Sequence, residues 1–504
     1  MLFTCSLTFI ILITVTFWLI AFLTWHIWSL GYWKRKGLHG PRPTLIFGNA
    51  TELLKGRKTL GQIFSNFYKE YKAKGHRHIG AYFFGSPYYI AIDLEIAKAI
   101  LQTDFQHFHS HGTYLAERAD PLTANIFNVH GDRWRDIRGK LSPAFTPGKI
   151  KTLFNLMLQC AGNLREELEI FSNDNRPFDI RDYAGRFTID IISSTAFGLE
   201  TSSLKNPKSK FRQYGDKVFK ATVSVVLRNT PPMVIPHRYL RAINYSILRT
   251  DVIDFFLNTT LSNIKYREQN NIKRKDFLNI LLDLKNNESD LNKKLTANGI
   301  AAECFLFFMA GYETSAATIS FATYELAINS ELQDKTREEI NKVLRKYNNE
   351  ITYEALMEME HLERVIYETL RKYPPLPFLF RECTENYKVP GEDLQIEKGT
   401  FTTIPILGIH YDPEYYPDPE RFDPERFSEE NRRSIPPFAW LPFGEGPRIC
   451  LGMRFGLIET KLGLVTLIRN YKFSLNKNTI YPVEFDIKGL IAKSKGEMWL
   501  DLQK

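Results

Sequence analysis

Phe443-Gly444-Glu445-Gly446-Pro447-Arg448-Ile449-Cys450-Leu451-Gly452 is the stretch of sequence that decides the fold of this chain. Two glycines and a proline force a tight, irregular backbone just before the cysteine. The residues from 451 to 468 have a helical pattern, so we expect Cys450 at a helix N-terminus. Free backbone amides and the positive end of the helix dipole stabilise a thiolate there. The stretch therefore predicts that Cys450 is a thiolate.

A thiolate at such a turn is the ligand required by a haem iron that cleaves O2, because its electron donation favours scission of the O–O bond. Arg448, two residues away, is placed to form charge-assisted hydrogen bonds with a haem propionate. The alternative is a buried structural cysteine in a glycine-rich loop. We predict that Cys450 is the axial ligand of a haem iron.

The N-terminus predicts a single transmembrane helix. Residues 1–33 contain no Asp, Glu, Lys or Arg, and about 20 apolar residues are enough to span a bilayer. The basic triplet 34–36 follows at once, so the positive-inside rule predicts a lumenal N-terminus and a cytosolic body. A cleaved signal peptide is the alternative, but it needs a basic first segment and a shorter apolar core. Four aromatic residues are expected at the membrane interface: Trp25, Trp28, Tyr32 and Trp33.

Composition limits the kind of partner. The chain has 504 residues, 44% hydrophobic and 24% charged, with a formal net charge of +9. This mild excess suits an anionic lipid surface or an acidic protein partner. Nucleic acid is not expected, because the basic residues are dispersed along the chain. The five cysteines form no CxxC motif, which favours a reducing, cytosol-facing location.

The pattern along the chain predicts a mainly α fold with a minor β region. An anchor at 1–33 and a basic, proline-rich hinge at 34–48 precede one catalytic domain at 49–504. Residues 79–92 predict a β-hairpin around a Gly-Ser-Pro turn. Helices are predicted at 149–171, 251–269, 296–328, 330–347 and 353–373, the fourth beginning with a Ser330–Gln333 capping box.

The segment Ala310-Gly311-Tyr312-Glu313-Thr314-Ser315 lies inside the apolar pattern at 296–328. Glutamates at 303, 313 and 325 argue against a second membrane span and favour a buried core helix. A mid-helix Thr can bond a carbonyl of the preceding turn and bend the helix. The glycine leaves room for a ligand to approach closely.

Further arginines stand in four other segments. They belong to the Glu368-Thr369-Leu370-Arg371 stretch, to Pro424-Glu425-Arg426-Phe427, to a Trp134–Arg138 pair on a predicted helix, and to Arg381 after a proline-rich run. Each arginine alone is equally well explained as a surface charge.

Together these segments carry a resemblance to the cytochrome P450 superfamily. The pattern FxxGxRxCxG from Phe443 onward is its signature, and the segments at 134, 310, 368 and 424 occur in the family's order. The stretches 119–123, 134–138 and 140–149 are most similar to insect microsomal members that oxidise foreign compounds. The resemblance implies the cytochrome P450 fold, preceded by the transmembrane helix.

The resemblance also implies roles for individual residues. Cys450 would bind the iron of haem b (iron protoporphyrin IX), and Glu313 and Thr314 would deliver protons. Glu368, Arg371 and Arg426 would form a structural triad that braces the cysteine loop. The remaining cofactor-binding residues, most of them near the propionates, would be Trp134, Arg138, Arg381, Phe443 and Arg448. The substrate pocket would include Phe108, Phe127, Phe305, Phe378 and Phe380, for which core packing is the equal alternative.

The implied activity is insertion of one oxygen atom of O2 into a lipophilic substrate in the endoplasmic reticulum membrane. Electrons would come from NADPH through a flavoprotein reductase, with cytochrome b5 as a further partner. Arg133, Arg135 and Lys140 could meet an acidic reductase, or simply face solvent. The alternatives are a dedicated hormone or fatty-acid hydroxylase and, from another class, a reductase-independent haem-thiolate isomerase. Intact Glu313-Thr314 argues against the isomerase.

Three alternating histidines, His107, His109 and His111, would share one face of a strand. Zinc binding is one interpretation, but the sequence shows no fourth ligand nearby. His111 also stands where relatives carry an arginine, and the role of the three histidines stays open at this point.

Overall fold

The computed structural model describes residues 2–219, 228–288, 295–487, 489 and 491–504. Helices account for most of them, and the predicted mainly α fold with a minor β region is confirmed. In chain order the helices are α1 Leu2–Ser29, α2 Tyr32–Arg35, α3 Thr51–Leu54, α4 Leu60–Ala73, α5 Leu94–Lys98, α6 Gly131–Leu141, α7 Pro147–Asn173, α8 Ile180–Ile192, α9 Lys210–Phe219, α10 Pro231–Val234, α11 His237–Ala242, α12 Thr250–Asn270, α13 Phe277–Asn287, α14 Ala297–Ile328, α15 Ser330–Lys346, α16 Tyr353–Met357, α17 Glu360–Lys372, α18 Ile406–His410, α19 Glu429–Arg432 and α20 Met453–Ile468.

The strands form three small sheets. They are β1 His78–Phe83, β2 Ser86–Ala91, β3 Phe178–Asp179, β4 Leu379–Glu382, β5 Tyr387–Lys388, β6 Gln395–Ile396, β7 Phe401–Ile404, β8 Lys472–Leu475 and β9 Trp499–Gln503. The largest sheet has the order β1-β2-β7-β4, with β2 and β7 parallel and the other neighbours antiparallel. The other two have the orders β3-β9-β8 and β5-β6.

The predicted hairpin is present, but its turn lies one residue earlier than expected. Phe84 and Gly85 form the turn with φ of +51° and +84°, while Ser86 and Pro87 already pair within β2. Two residues with positive φ are the usual way to join strands with right-handed twist.

Helix α14 is the central element of the α part. It packs against α8, α12, α17 and α20, and 21 of its residues are buried. Because it is apolar on all sides, no single face could be assigned to the core from its sequence. Its position beside α20, which follows the cysteine loop, brings the two most distinctive sequence segments together.

Two helix boundaries differ from the sequence prediction. The helix expected at 353–373 is split, because Met359 is not helical (ψ +83°) and the Glu339 carboxylate accepts the His361 and Leu362 amides at the start of α17. The capping box expected at Ser330 is absent: Asn329 caps α15 by accepting the Leu332 amide at 3.0 Å. The Gln333 side chain instead bonds the carbonyls of Leu326 and Phe473.

The N-terminal helix has the length and apolar composition of a membrane span, Phe9–Ser29. Its side chains from Phe9 to Trp28 are largely exposed, as expected for contact with lipid. Trp33, however, was expected at the membrane interface and is instead 2% exposed. Its indole nitrogen donates to the Ala81 carbonyl at 3.1 Å, and its ring lies against Gly80. Trp33 therefore packs on β1 and is not exposed like the side chains of α1.

Candidate functional site

The cysteine loop is a closed turn fixed by its glycines. Gly444 and Gly446 have φ of +70° and +73°, and a Cβ at Gly446 would lie 1.9 Å from the Leu101 carbonyl oxygen. The Cys450 amide donates to the Phe443 carbonyl at 2.9 Å, which closes the loop. Only glycine fits at position 446, because both the backbone conformation and the close approach exclude a side chain.

Cys450 is exposed, unlike Cys160, Cys304 and Cys383, which are buried. It lies just before α20, which begins at Met453 with Gly452 as its N-cap, two residues later than the helical pattern at 451 indicated. The surrounding protein raises the pKa of its thiol, while the Gly452 amide and the positive charge of Arg138 lower it. A metal cation at the sulfur would displace the proton that these surroundings favour.

The segment 310–314 of α14 also faces accessible space. Ala310 is exposed although it lies in the middle of a buried helix, and Thr314 donates its hydroxyl to the Ala310 carbonyl at 2.5 Å. Burial raises the pKa of Glu313, and Lys493 opposes that shift from 3.9 Å. The residues expected to deliver protons are thus adjacent, with a cation beside the carboxyl group.

Three neighbouring arginines have no carboxylate partner among the described residues: Arg381 and Arg448, which are buried, and Arg138, which is half-buried. Burial lowers the pKa of Arg381 to about 10. It lowers that of Arg448 to about 9, with further contributions from the other two arginines. Unpaired buried charges are costly, so this cluster is a site for an anion.

The three arginines differ in how many donors they still offer. A guanidinium group has five N–H bonds. Arg448 donates once from Nε, twice from Nη1 and once from Nη2 to the carbonyls of His109, Ile126, Phe127 and Val129. Among the described residues, Arg381 donates only to its neighbour Phe380, and its Nε has no partner there. Arg138 donates to the Ile449 carbonyl of the cysteine loop at 2.9 Å.

Trp134 lies against this arginine cluster. It is buried on α6, the helix predicted after Gly131, and the Arg448 guanidinium lies 4.5 Å from the centre of its ring. Phe443 is half-buried on the other side of the loop, with its ring 6.1 Å from that of Trp440.

Glu368, Arg371 and Arg426 lie close together. Glu368 and Arg371 are both fully buried, and two hydrogen bonds of 2.7 and 2.8 Å join them. Arg426 approaches Glu368 at 3.4 Å and donates to the Asp418 carbonyl. Arg371 also donates to the His410 carbonyl, so the pair ties α17 to α18.

The five aromatic residues expected in the pocket do not all meet. Phe127 and Phe380 are half-buried, with ring centres 6.2 Å apart. The other three are packed among core rings. Phe108 lies against Tyr387, Phe305 against Phe256, and Phe378 against Phe64, at 4.8, 5.0 and 4.9 Å.

The three histidines are not arranged as one cluster. His109 accepts from the Gly131 amide, and His107 lies 4.0 Å from Glu385. His111 is buried between Arg381 and Arg448, with its ring stacked on Phe127 at 4.2 Å. Its Nδ1 is 2.8 Å from the Phe127 carbonyl oxygen and must donate, so Nε2 carries the lone pair of the neutral ring.

Sequence reasoning did not single out Glu303 as a site residue. Its side chain is fully buried on α14, and its Oε1 accepts the Ile126 amide at 2.8 Å. Burial raises its pKa to about 8. A carboxyl group in an otherwise apolar stretch of a core helix is the signal that could have identified it.

A haem fits this set of side chains. The haem iron is a cation that the accessible Cys450 sulfur can bind, and the two haem propionates are carboxylates that can pair with the arginine cluster.

Comparison with known proteins supports this interpretation. The family model for Cytochrome P450 matches residues 38–500. The chain is 40% identical to Cytochrome P450 6A1 of Musca domestica over 486 residues, which cover 94% of each chain. It is 39% identical to Probable cytochrome P450 6a23 of Drosophila melanogaster, over 94% of this chain and 95% of that protein. It is also 36% identical to Cytochrome P450 6k1 of Blattella germanica, over 98% and 96%.

Proposed function

Because this chain belongs to the cytochrome P450 family of haem monooxygenases, we propose that it oxidises lipophilic foreign compounds at a haem bound by Cys450. One observation carries this proposal: an accessible thiol lies beside a cluster of buried and half-buried guanidinium groups that have no carboxylate partner within the described part of the chain. The proposed cofactor is haem b, which supplies the iron that binds and activates O2.

The protein's own part begins with holding the cofactor. Cys450 binds the iron, and the loop hydrogen bonds keep its sulfur in place. Counting only bonds to the described residues, Arg381 and Arg138 keep most of their N–H donors for the propionates, whereas Arg448 keeps one on Nη2. Arg448 therefore acts mainly as a brace between the cysteine loop and residues 126–129, with Trp134 covering its face.

The proton supply is proposed to run through Glu313 and Thr314. Burial raises the pKa of Glu313, and Lys493 beside it stabilises the anion that remains when the proton leaves. Thr314 keeps its hydroxyl at the exposed Ala310 carbonyl, in a helix that is otherwise closed by apolar packing. The Glu368–Arg371–Arg426 triad supports the fold and touches no reacting atom.

Electrons are proposed to come from NADPH through a flavoprotein reductase, with cytochrome b5 as a second donor. The exposed arginines of α6 are already paired, Arg133 with Glu117 and Arg135 with Asp132. Lys140 is likewise paired with Asp136. Arg454, exposed four residues after Cys450, makes no ion pair within the described residues. An acidic reductase would meet Arg454 first and then compete for the paired cations.

The membrane placement follows from α1. The helix is proposed to anchor the chain in the endoplasmic reticulum with the body in the cytosol, where both redox partners and lipophilic substrates would reach it.

The haem-ligand assignment is tested by the carbon-monoxide difference spectrum of the reduced protein. The wild type should show the Soret band of a thiolate-ligated haem, and Cys450→Ser should lose it. Cys383→Ser replaces a buried cysteine of the sheet region and is the matched control, with an unchanged spectrum expected. A wild-type band typical of imidazole ligation would contradict the proposal.

The xenobiotic role and the electron source need a separate experiment. Reconstitution with reductase and NADPH across a panel of plant toxins, insecticides, steroids and fatty acids should give turnover of several unrelated foreign compounds. Turnover of a single endogenous lipid alone would favour a dedicated hydroxylase. Turnover without reductase or NADPH would contradict the monooxygenase proposal.

A further inference from the structure

The backbone of Ile126 forms hydrogen bonds with two side chains. Its amide donates to Glu303 of α14 at 2.8 Å, and its carbonyl accepts from Arg448 of the cysteine loop at 3.1 Å. One residue thus connects the central helix to the loop that carries Cys450. Both contacts are buried, so neither is easily replaced by solvent.

The neighbours of Ile126 form a small cage of carbonyl groups. Asn125 fixes the turn by accepting the amides of Phe127 and Asn128 on its Oδ1. The carbonyls of Ile126, Phe127 and Val129 then all point to the Arg448 guanidinium. Because the Asn125 Oδ1 already accepts these two amides, the Ile126 amide takes Glu303 as its acceptor.

Burial of the Glu303 carboxyl group lowers the stability of the folded protein. The side chain is 1% exposed, and its Oε2 has no hydrogen-bond partner among the described residues. Arg133 is the charged group that lowers its pKa, and Arg133 itself forms an ion pair with Glu117. An apolar residue at position 303 would avoid this cost but would leave the Ile126 amide without an acceptor.

We propose that Glu303 is a positioning residue for the cofactor site. By accepting the Ile126 amide, it keeps the carbonyl groups that bind Arg448 in place. It acts through Ile126 and Arg448 and touches neither substrate nor cofactor. The inference rests on the proposed function only in that Arg448 braces a haem-binding loop. Its structural core, the bond between Glu303 and Ile126, does not depend on any reaction.

Hydrogen exchange of the full-length, haem-loaded protein tests the proposal directly. Glu303→Met removes the acceptor at similar volume, and amides in 125–129 should then exchange about tenfold faster, the effect of losing one buried hydrogen bond. Haem should also transfer faster to an acceptor protein such as apomyoglobin. Glu303→Gln keeps an oxygen for the Ile126 amide and should behave as wild type in both measurements.

Glu459→Met is the matched control. Glu459 is another fully buried glutamate, on α20, and among the described residues it makes no hydrogen bond to 125–129. Its replacement should leave exchange at 125–129 unchanged. If Glu303→Met does not fold, Glu303→Asp tests the same bond, because it keeps a carboxyl group whose shorter side chain does not reach the Ile126 amide.

The proposal is overturned if Glu303→Met and Glu303→Asp exchange at 125–129 like wild type, or if Glu303→Gln exchanges as fast as Glu303→Met. Failure of the proposed function would look different: the wild-type reduced carbon-monoxide spectrum would lack the thiolate band, whatever the exchange at Ile126.

Discussion

Arg381 buries a positive charge that no carboxylate neutralises within the described part of the chain, and burial lowers its pKa to about 10. We expect Arg381→Met to stabilise the haem-free protein by about 1–3 kcal/mol, because an unpaired buried charge is removed. The same change should weaken haem binding, because a propionate partner is lost. Thermal unfolding with and without haem measures both effects.

Arg267→Met is the control for this prediction. Arg267 is equally buried but is paired with Asp276 by two hydrogen bonds of 2.8 and 2.7 Å. Its loss should destabilise the protein by about 3–5 kcal/mol, the opposite sign. If Arg381→Met destabilised the haem-free protein as Arg267→Met does, the anion-site interpretation would be wrong.

Glu459 gives the protein a pH-dependent stability. Burial raises its pKa to about 8, against 4.5 for a free glutamate. Below pH 4.5 the group is protonated in both folded and unfolded chains and costs nothing. Between 4.5 and 8 the unfolded chain releases the proton first, so the folded state loses stability as the pH rises, and the loss levels off above 8.

Glu459→Gln should remove this dependence. The free energy of unfolding of the variant, measured in denaturant, should match the wild type near pH 4.5 and exceed it progressively up to pH 8. Cys160 also faces this site, but burial keeps its thiol pKa above this range, so it does not titrate in the window. Parallel curves for the two proteins would contradict the prediction.

At the level of residues, the sequence could predict Cys450, Arg448 and the Glu368–Arg371 pair, because each lies in a short motif whose spacing is itself the signal. It could not predict the contact that Glu303 makes. The Glu303–Ile126 contact joins residues 177 positions apart, so the isolated carboxyl group in an apolar helix marks Glu303 but does not identify its partner. Nor could it predict that Arg448 donates four hydrogen bonds to backbone carbonyl groups, because every residue has a carbonyl group and the sequence does not show which ones are near.

At the level of elements, the buried Glu368–Arg371 pair of α17 also bonds the His410 carbonyl at the end of α18. Arg371→Met would leave the Glu368 carboxylate buried and unpaired, so we expect a loss of about 3–5 kcal/mol in unfolding free energy and poor haem incorporation. Lys346→Met breaks an exposed ion pair of similar length, Lys346–Glu358, and should cost under about 1 kcal/mol. Equal effects would show that burial does not set the strength of the Glu368 pair.

Trp33 and Trp25 test where the anchor ends and the body begins. Trp33 is buried against β1, and Trp33→Ala should destabilise the body by about 3–5 kcal/mol. Trp25 is 59% exposed on α1, and Trp25→Ala should leave unfolding of the body in denaturant unchanged. If both variants unfolded as wild type, Trp33 would belong to the membrane interface, as the sequence alone suggested.

The errors in element prediction share one physical cause. Helical periodicity continues across Glu358, but the Glu339 carboxylate offers two amides of α17 a better partner than the preceding turn does. Asn329 likewise outcompetes Ser330 as a cap because its side chain reaches the Leu332 amide. Trp33 follows an apolar run and reads as part of it, although the cavity that receives it is made by Gly80, far along the chain. Tertiary contacts decided each case.

At the scale of the whole molecule, the proposed arrangement has the apolar helix α1 in lipid and the body in water on one side of the membrane. The apolar α1 and the basic triplet 34–36 predict a cytosolic body. Two glycosylation sequons test this orientation, because Asn244 and Asn258 are exposed on the body. A lumenal body would carry glycans at these asparagines, whereas a cytosolic body cannot.

We therefore expect no change in gel mobility when the protein from microsomal membranes is treated with an endoglycosidase. A variant with a sequon-bearing extension before Met1 should be glycosylated, because its N-terminus would be lumenal, and this shows that the membranes are competent. Glycans on Asn244 or Asn258 would reverse the orientation and separate the body from cytosolic NADPH. The electron source proposed for Cys450 would then fail with it, since the position of one helix determines which partners the site can reach.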